Sequence, residues 1–113
     1  MEQLLEAFGS YLRYERRYSA HTQRAYVADL RGALMVAKTF GQNHPREIEG
    51  DTLRAYLLRA RTRQGGRLGA RTIRRKQSAL RTFYGWLRRT DGIEENPTLV
   101  LQSPKAPQLL TRA

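Results

Sequence analysis

Apolar residues in this chain recur at the spacing of a helix, and no run alternates as a strand would. Tyr26, Leu30, Ala33, Ala37 and Phe40 follow one another at steps of four, three, four and three. That is the buried stripe of one amphipathic helix. Leu4, Leu5, Phe8, Tyr11 and Leu12 mark another helix before it, over Glu2 to Arg16. Leu53, Tyr56, Leu57 and Ala60 mark a third. Ile73, Leu80, Phe83, Tyr84 and Leu87 mark a fourth over Ala70 to Arg89, about 30 Å long at 1.5 Å per residue.

Punctuation between the stripes fits helix ends. Tyr18-Ser19 breaks the first helix, and Ser19 is a good N-cap for the second. Gly41 suits the position just past that helix, and Asp51 is the expected cap of the third. Gln42–Gly50 reads as a loop holding His44-Pro45, and Gln64–Gly69 as a glycine-rich turn. Asp91-Gly92 ends the fourth helix, and Asn96-Pro97 opens a short final turn or fifth helix. Ser103–Ala113 carries two prolines and reads as a linker. The predicted fold is all-α: a bundle of four main helices with a short fifth, one domain over 1–102 and a linker over 103–113.

Composition narrows the function. The 113 residues carry 21 Lys plus Arg against 10 Asp plus Glu, a formal charge of +11. The absence of cysteine excludes disulfides and thiolate zinc sites. No apolar run exceeds Ala33–Ala37, and Met1-Glu2-Gln3 does not open a signal peptide, so a soluble cytoplasmic protein without membrane contact is expected. His21 and His44 have no supporting carboxylate pattern, and no phosphate loop is present. No metal, cofactor or small-molecule ligand is therefore expected.

The charge is also uneven. Between Thr52 and Thr90 there is no acid, yet there are twelve basic residues: Arg54, Arg59, Arg61, Arg63, Arg67, Arg71, Arg74, Arg75, Lys76, Arg81, Arg88 and Arg89. In the fourth helix Arg71, Arg74, Arg75, Ser78, Arg81 and Thr82 share a face, continued by Gly85 and Arg88. Like charges one turn apart repel, and a polyanion relieves that repulsion. An α-helix fits the major groove of B-DNA, where Arg can meet phosphates and guanine edges. Ser19, His21, Thr22 and Arg24 place a second polar helix start in the same small bundle. Two other readings share the charge: a stand-alone basic RNA-binding helical protein, and a helical module that meets an acidic protein.

The order of these motifs carries a resemblance. Tyr18-Ser19-Ala20-His21-Thr22-Gln23-Arg24-Ala25-Tyr26, then Asp29-Leu30, resembles the "YS-x-HT-x-x-AY-x-x-DL" pattern of tyrosine recombinases in the phage integrase family. Ala70-Arg71-Thr72-Ile73-Arg74-Arg75-Lys76-Gln77-Ser78-Ala79-Leu80-Arg81-Thr82-Phe83-Tyr84-Gly85-Trp86-Leu87 resembles that family's "ARTI-x-R-x-LSALR-x-FY-x-WL". Ile93-Glu94-Glu95-Asn96-Pro97 and Ser103-Pro104-Lys105 also fit. The chain is most similar to the N-terminal core-binding domain of XerC/XerD-like members.

The resemblance implies a SAM-like helical domain that forms one jaw of a clamp on duplex DNA, with two helices crossing in the major groove. It implies DNA contacts from Thr22 and Arg24 in the second helix and from Arg71, Thr72, Arg74 and Arg75 in the fourth. His21, Ser78 and Arg81 are secondary candidates. It implies DNA recombination or integration by a parent acting as a tetramer on DNA, with itself or a paralogous recombinase. The parent's catalytic domain, with its nucleophilic tyrosine, lies outside these motifs, so this fragment is expected to be non-catalytic. Tyr26, Tyr56, Tyr84 and Trp86 are expected in the core, and Tyr11, Tyr14 and Tyr18 partly buried near the first junction. Gly69 replaces the family's usual Ser and leaves the fourth helix without a side-chain cap. Gln77 replaces a Leu, as either a hydrogen-bonded core polar or a rim position.

Overall fold

The spacing of apolar residues is realised as four helices in the computed structural model, which describes residues 2–60 and 64–101. The expected linker, 103–113, and Arg61 and Arg63 lie outside the described residues. Helix α1 spans Glu2–Ser10, α2 Ala20–Thr39, α3 Gly50–Arg59 and α4 Ala70–Asp91. Short 3₁₀ turns follow at Pro45–Glu47, within the predicted loop, and at Pro97–Val100, the expected short fifth element. The fold is thus the all-helical bundle that the sequence predicts.

α2 packs on α1, α3 and α4. Leu30, Ala33 and Ala37 from its stripe are buried among Phe8, Leu12, Leu53, Leu80, Phe83 and Leu87. Phe8 meets the Phe83 ring edge-on at 5.2 Å and Trp86 at 5.4 Å, a favourable aromatic geometry. Trp86 is a core residue, as expected. Phe40, predicted inward, is 48% exposed. It sits at the end of α2, past the last buried turn, with the Arg59 guanidinium 5.8 Å from its ring.

The caps follow their chemistry with one correction. Ser19 Oγ accepts from the Thr22 N–H at 3.1 Å and caps α2. At the other end Gly41 adopts φ 76°. Gln42 N–H then reaches Ala37 O and Gly41 N–H reaches Lys38 O, both at 3.0 Å, the paired closure that needs a left-handed residue. Asp51 does not cap α3, because the helix starts two residues earlier than such a cap requires and Glu49 stands at the cap without a side-chain bond. Gly50 allows this early start: a Cβ there would lie 2.6 Å from Val100 Cγ2. Asp51 instead lies in the first turn, where a negative charge is favourable, and pairs with Arg54 at 3.1 Å.

The first helix departs from regularity where it meets the core aromatics. Beyond Ser10 the chain continues as a π-helical turn, Tyr11–Glu15, with Arg16 N–H reaching five residues back to Tyr11 O at 3.0 Å. The widened turn keeps Leu12 fully buried and stacks Tyr11 on Trp86 at 5.9 Å. Tyr14, expected to be partly buried, is instead 76% exposed, because the π turn faces it outward. Arg17 then turns the chain at φ 61°, a left-handed conformation that costs an L-residue about 1–2 kcal/mol. Arg17→Gly removes that cost against a smaller loss of backbone entropy. It is expected to stabilise by about 0.5–1 kcal/mol, seen as a rise in melting temperature of about 3–6 °C.

Candidate nucleic-acid interface

α4 starts at Gly69, whose carbonyl accepts from Ile73 N–H at 3.1 Å with no side-chain cap, as its sequence implies. Its inner face is apolar, and its outer face repeats Arg71, Arg74, Ser78, Arg81, Gly85 and Arg88 at alternating three- and four-residue steps. The four arginines of this row are exposed, and Ser78 and Gly85 are half-buried. The row runs about 25 Å along the helix. Among the described residues, Arg71, Arg74 and Arg88 have no carboxylate partner. Arg81 donates to Leu101 O at 3.0 Å and pins the final 3₁₀ turn. Gln77 borders the row on its core side. It is half-buried, and its buried Oε1 has no hydrogen-bond partner among the described residues.

The structure divides the other sequence-predicted residues. Thr22 lies at the capped start of α2, where its Oγ1 accepts from Ser19 Oγ at 3.1 Å. His21 is exposed beside it, and Thr72 is half-buried at the start of α4. Tyr26, expected in the core, is half-buried, and its ring meets that of Tyr18 edge-on at 5.4 Å. Burial is the largest influence on its hydroxyl and raises its pKa. Arg24 does not join this group. It is exposed on the opposite flank of α2, in a groove of about 640 Å³ shared with Glu2, Glu6 and Arg31.

Arg75 turns away from the exposed row toward α2. Its Nε donates to Asp29 Oδ2 and its Nη2 to Asp29 Oδ1, both at 2.9 Å. Lys76 Nζ donates to the same Oδ1 at 3.0 Å and to the Tyr56 hydroxyl at 3.0 Å, and Tyr56 in turn donates to Asp29 O at 2.9 Å. The Asp29 side chain is 2% exposed, Lys76 15% and Arg75 40%. The hydrogen bonds to Asp29 raise the Arg75 pKa. Burial works to lower that of Lys76, and the bonds to Tyr56 and Asp29 outweigh it. Burial raises Tyr56. Sequence reasoning missed Asp29 as a structural centre and Lys76 as its partner. A signal was present: Asp29 sits three residues after Tyr26 and four before Ala33, a lone acid in an apolar row.

These shifts share one sign. Tyr84 adds to them: its buried hydroxyl donates to Pro45 O at 2.7 Å, and burial pushes its pKa well above the ordinary 10.0. A folded-state pKa above the unfolded value gives stability that is complete below the unfolded pKa and lost as pH rises through the folded one. The melting temperature is therefore expected to hold from neutrality to about pH 9 and to fall above about pH 10. Tyr84→Phe should melt lower at neutral pH, because the Pro45 carbonyl loses its donor at a cost of about 1–2 kcal/mol, yet decline less steeply in alkali. Thermal melts across the pH series check both.

Among the described residues no group of three or more His, Cys, Asp or Glu side chains comes together, and no helix is long and apolar enough to cross a membrane. Comparison with known proteins agrees with the helical geometry. Residues 5–91 match the family described as phage integrase, N-terminal SAM-like domain. Tyrosine recombinase XerC of Xanthomonas campestris pv. campestris (strain B100) is 34% identical over 94% of this chain and 32% of its own length. XerC of Mycobacterium sp. (strain JLS) is 38% identical over 97% of this chain and 36% of its own. XerC of Xylella fastidiosa (strain 9a5c) is 36% identical over 99% and 37%. The chain thus spans about a third of the length of the curated relatives it matches. No solved structure matches significantly. By its helical architecture and by the match over residues 5–91, the chain belongs to the phage integrase family as an N-terminal SAM-like domain of the XerC-like tyrosine recombinases.

Proposed function

We propose that this chain binds duplex DNA as the N-terminal clamp domain of a site-specific tyrosine recombinase. α4 lies in the major groove with Arg71, Arg74 and Arg81 on phosphates and Arg75 and Thr72 close to them. The start of α2 approaches the same groove with Thr22, His21 and Ser78 nearby, and Arg24 meets the flanking backbone. Strand cleavage and exchange belong to a separate catalytic domain of the parent, whose tetrameric assembly on DNA follows the family. The work takes place in the cytoplasm, where a bacterial-type recombinase meets its DNA. The observation that carries this reading is the exposed row of arginines on α4, which lack carboxylate partners among the described residues, in a chain of this family.

Contact with about five phosphates releases their counterions and gives a slope of log K against log salt near −4.5. Affinity for a 30-base-pair duplex should then fall about 500-fold between 50 and 200 mM salt. Fluorescence anisotropy at several salts measures this. A flat response refutes the proposal.

A further inference from the structure

A guanidinium carries two bidentate edges. One is made by Nε–H and the adjacent N–H of Nη2, the other by the outward N–H groups of Nη1 and Nη2. Asp29 occupies the first edge of Arg75, with both bonds at 2.9 Å. The second edge has no partner among the described residues, and the side chain keeps 40% of its exposure. Arg75 lies about 40° around α4 from Arg71, on the shoulder between the exposed row and α2. Its inner edge is therefore fixed in the protein, and its outer edge is left without a partner among the described residues in a side chain that is still part-exposed.

The charges point the same way. Lys76 Nζ already holds Asp29 Oδ1 at 3.0 Å from the inside, so the carboxylate is compensated without Arg75. One carboxylate with two cations leaves one positive charge over, and the more exposed cation is Arg75. Arg71 and Arg74 are not tied in this way. Free rotamers suit a phosphate, whose oxygens accept from many directions. A guanine edge offers O6 and N7 in one plane, and a fork held rigid beforehand loses less entropy on matching them.

We propose that Asp29 is a positioning residue that aims Arg75, and that the outer fork of Arg75 reads a guanine in the major groove. The inference rests on the DNA-binding reading and adds which residue carries sequence preference.

The test uses the full chain and a 30-base-pair duplex that it enriches from a randomised pool. Guanines are replaced one at a time by 7-deazaguanine, which deletes N7 and leaves every phosphate. One position should weaken wild-type binding about tenfold. Arg75→Lys, which keeps the charge but lacks the fork, should lose that penalty while holding most of its affinity for unrelated duplex. Asp29→Asn should lose most of the penalty too, yet change nothing further in an Arg75→Ala background. Three results overturn the proposal. One is equal weakening by Asp29→Asn with and without Arg75, which marks a purely structural role. Another is no 7-deazaguanine position that depends on Arg75, which makes Arg75 a phosphate contact. The wild-type and Arg75→Lys arms decide this even if Asp29→Asn fails to fold. The third is wild type binding no duplex at 50 mM salt, which removes the DNA-binding reading itself and is thereby distinguished from the other two.

Discussion

Asp29→Ala is expected to lower the folding stability of this domain by about 3–5 kcal/mol. Asp29 is 2% exposed and holds two cations, one of which, Lys76, is only 15% exposed. Removing the carboxylate leaves the Lys76 ammonium in a half-dry site against the Tyr56 ring, 5.2 Å from its centroid, without a counter-charge. Arg75 can swing to solvent, but Lys76 has less freedom to do so. The loss should appear in urea as a lower midpoint at unchanged slope. Adding Lys76→Met should recover part of it, because the stranded charge goes with the side chain. A loss under about 1 kcal/mol for Asp29→Ala would show that the carboxylate does not hold α2 to α4.

The combined variant Arg71→Ala, Arg74→Ala, Arg81→Ala is expected to bind duplex DNA about 500-fold more weakly at 100 mM salt. Three fewer phosphate contacts reduce the salt slope by about 2.7, to near −1.8. All three side chains are exposed, so the fold should survive with a small cost from the Arg81 bond to Leu101 O. Circular dichroism and thermal melting verify the fold, and anisotropy at several salts gives both quantities. Unchanged affinity in a folded triple variant would place the interface on another surface.

Much of this molecule is legible in its residues. Ser19, Gly41 and Gly92 mark helix ends through local chemistry, and each acts within a few residues of its own position. The apolar period gives α2 and α4 their inner faces for the same reason. The outer arginine row follows from the same period, since residues three and four apart must share a face. Departures occur where packing overrides local preference. Asp51 is a good cap by type, but α3 starts earlier because Gly50 fits beneath Val100. Phe40 continues the apolar spacing of α2 past its last buried turn, and the π-helical turn faces Tyr14 outward.

The sequence by itself determined the helices, their inner faces and the acid-free basic stretch, because each depends on residues within one or two turns of one another. The tertiary structure alone decided which arginines face outward alone and which are anchored. Arg71 and Arg75 are one turn apart and look alike in the sequence, yet only Arg75 reaches Asp29, 46 residues away. That choice depends on how close α2 and α4 pack. Burial of the carboxylate then makes its pairing obligatory.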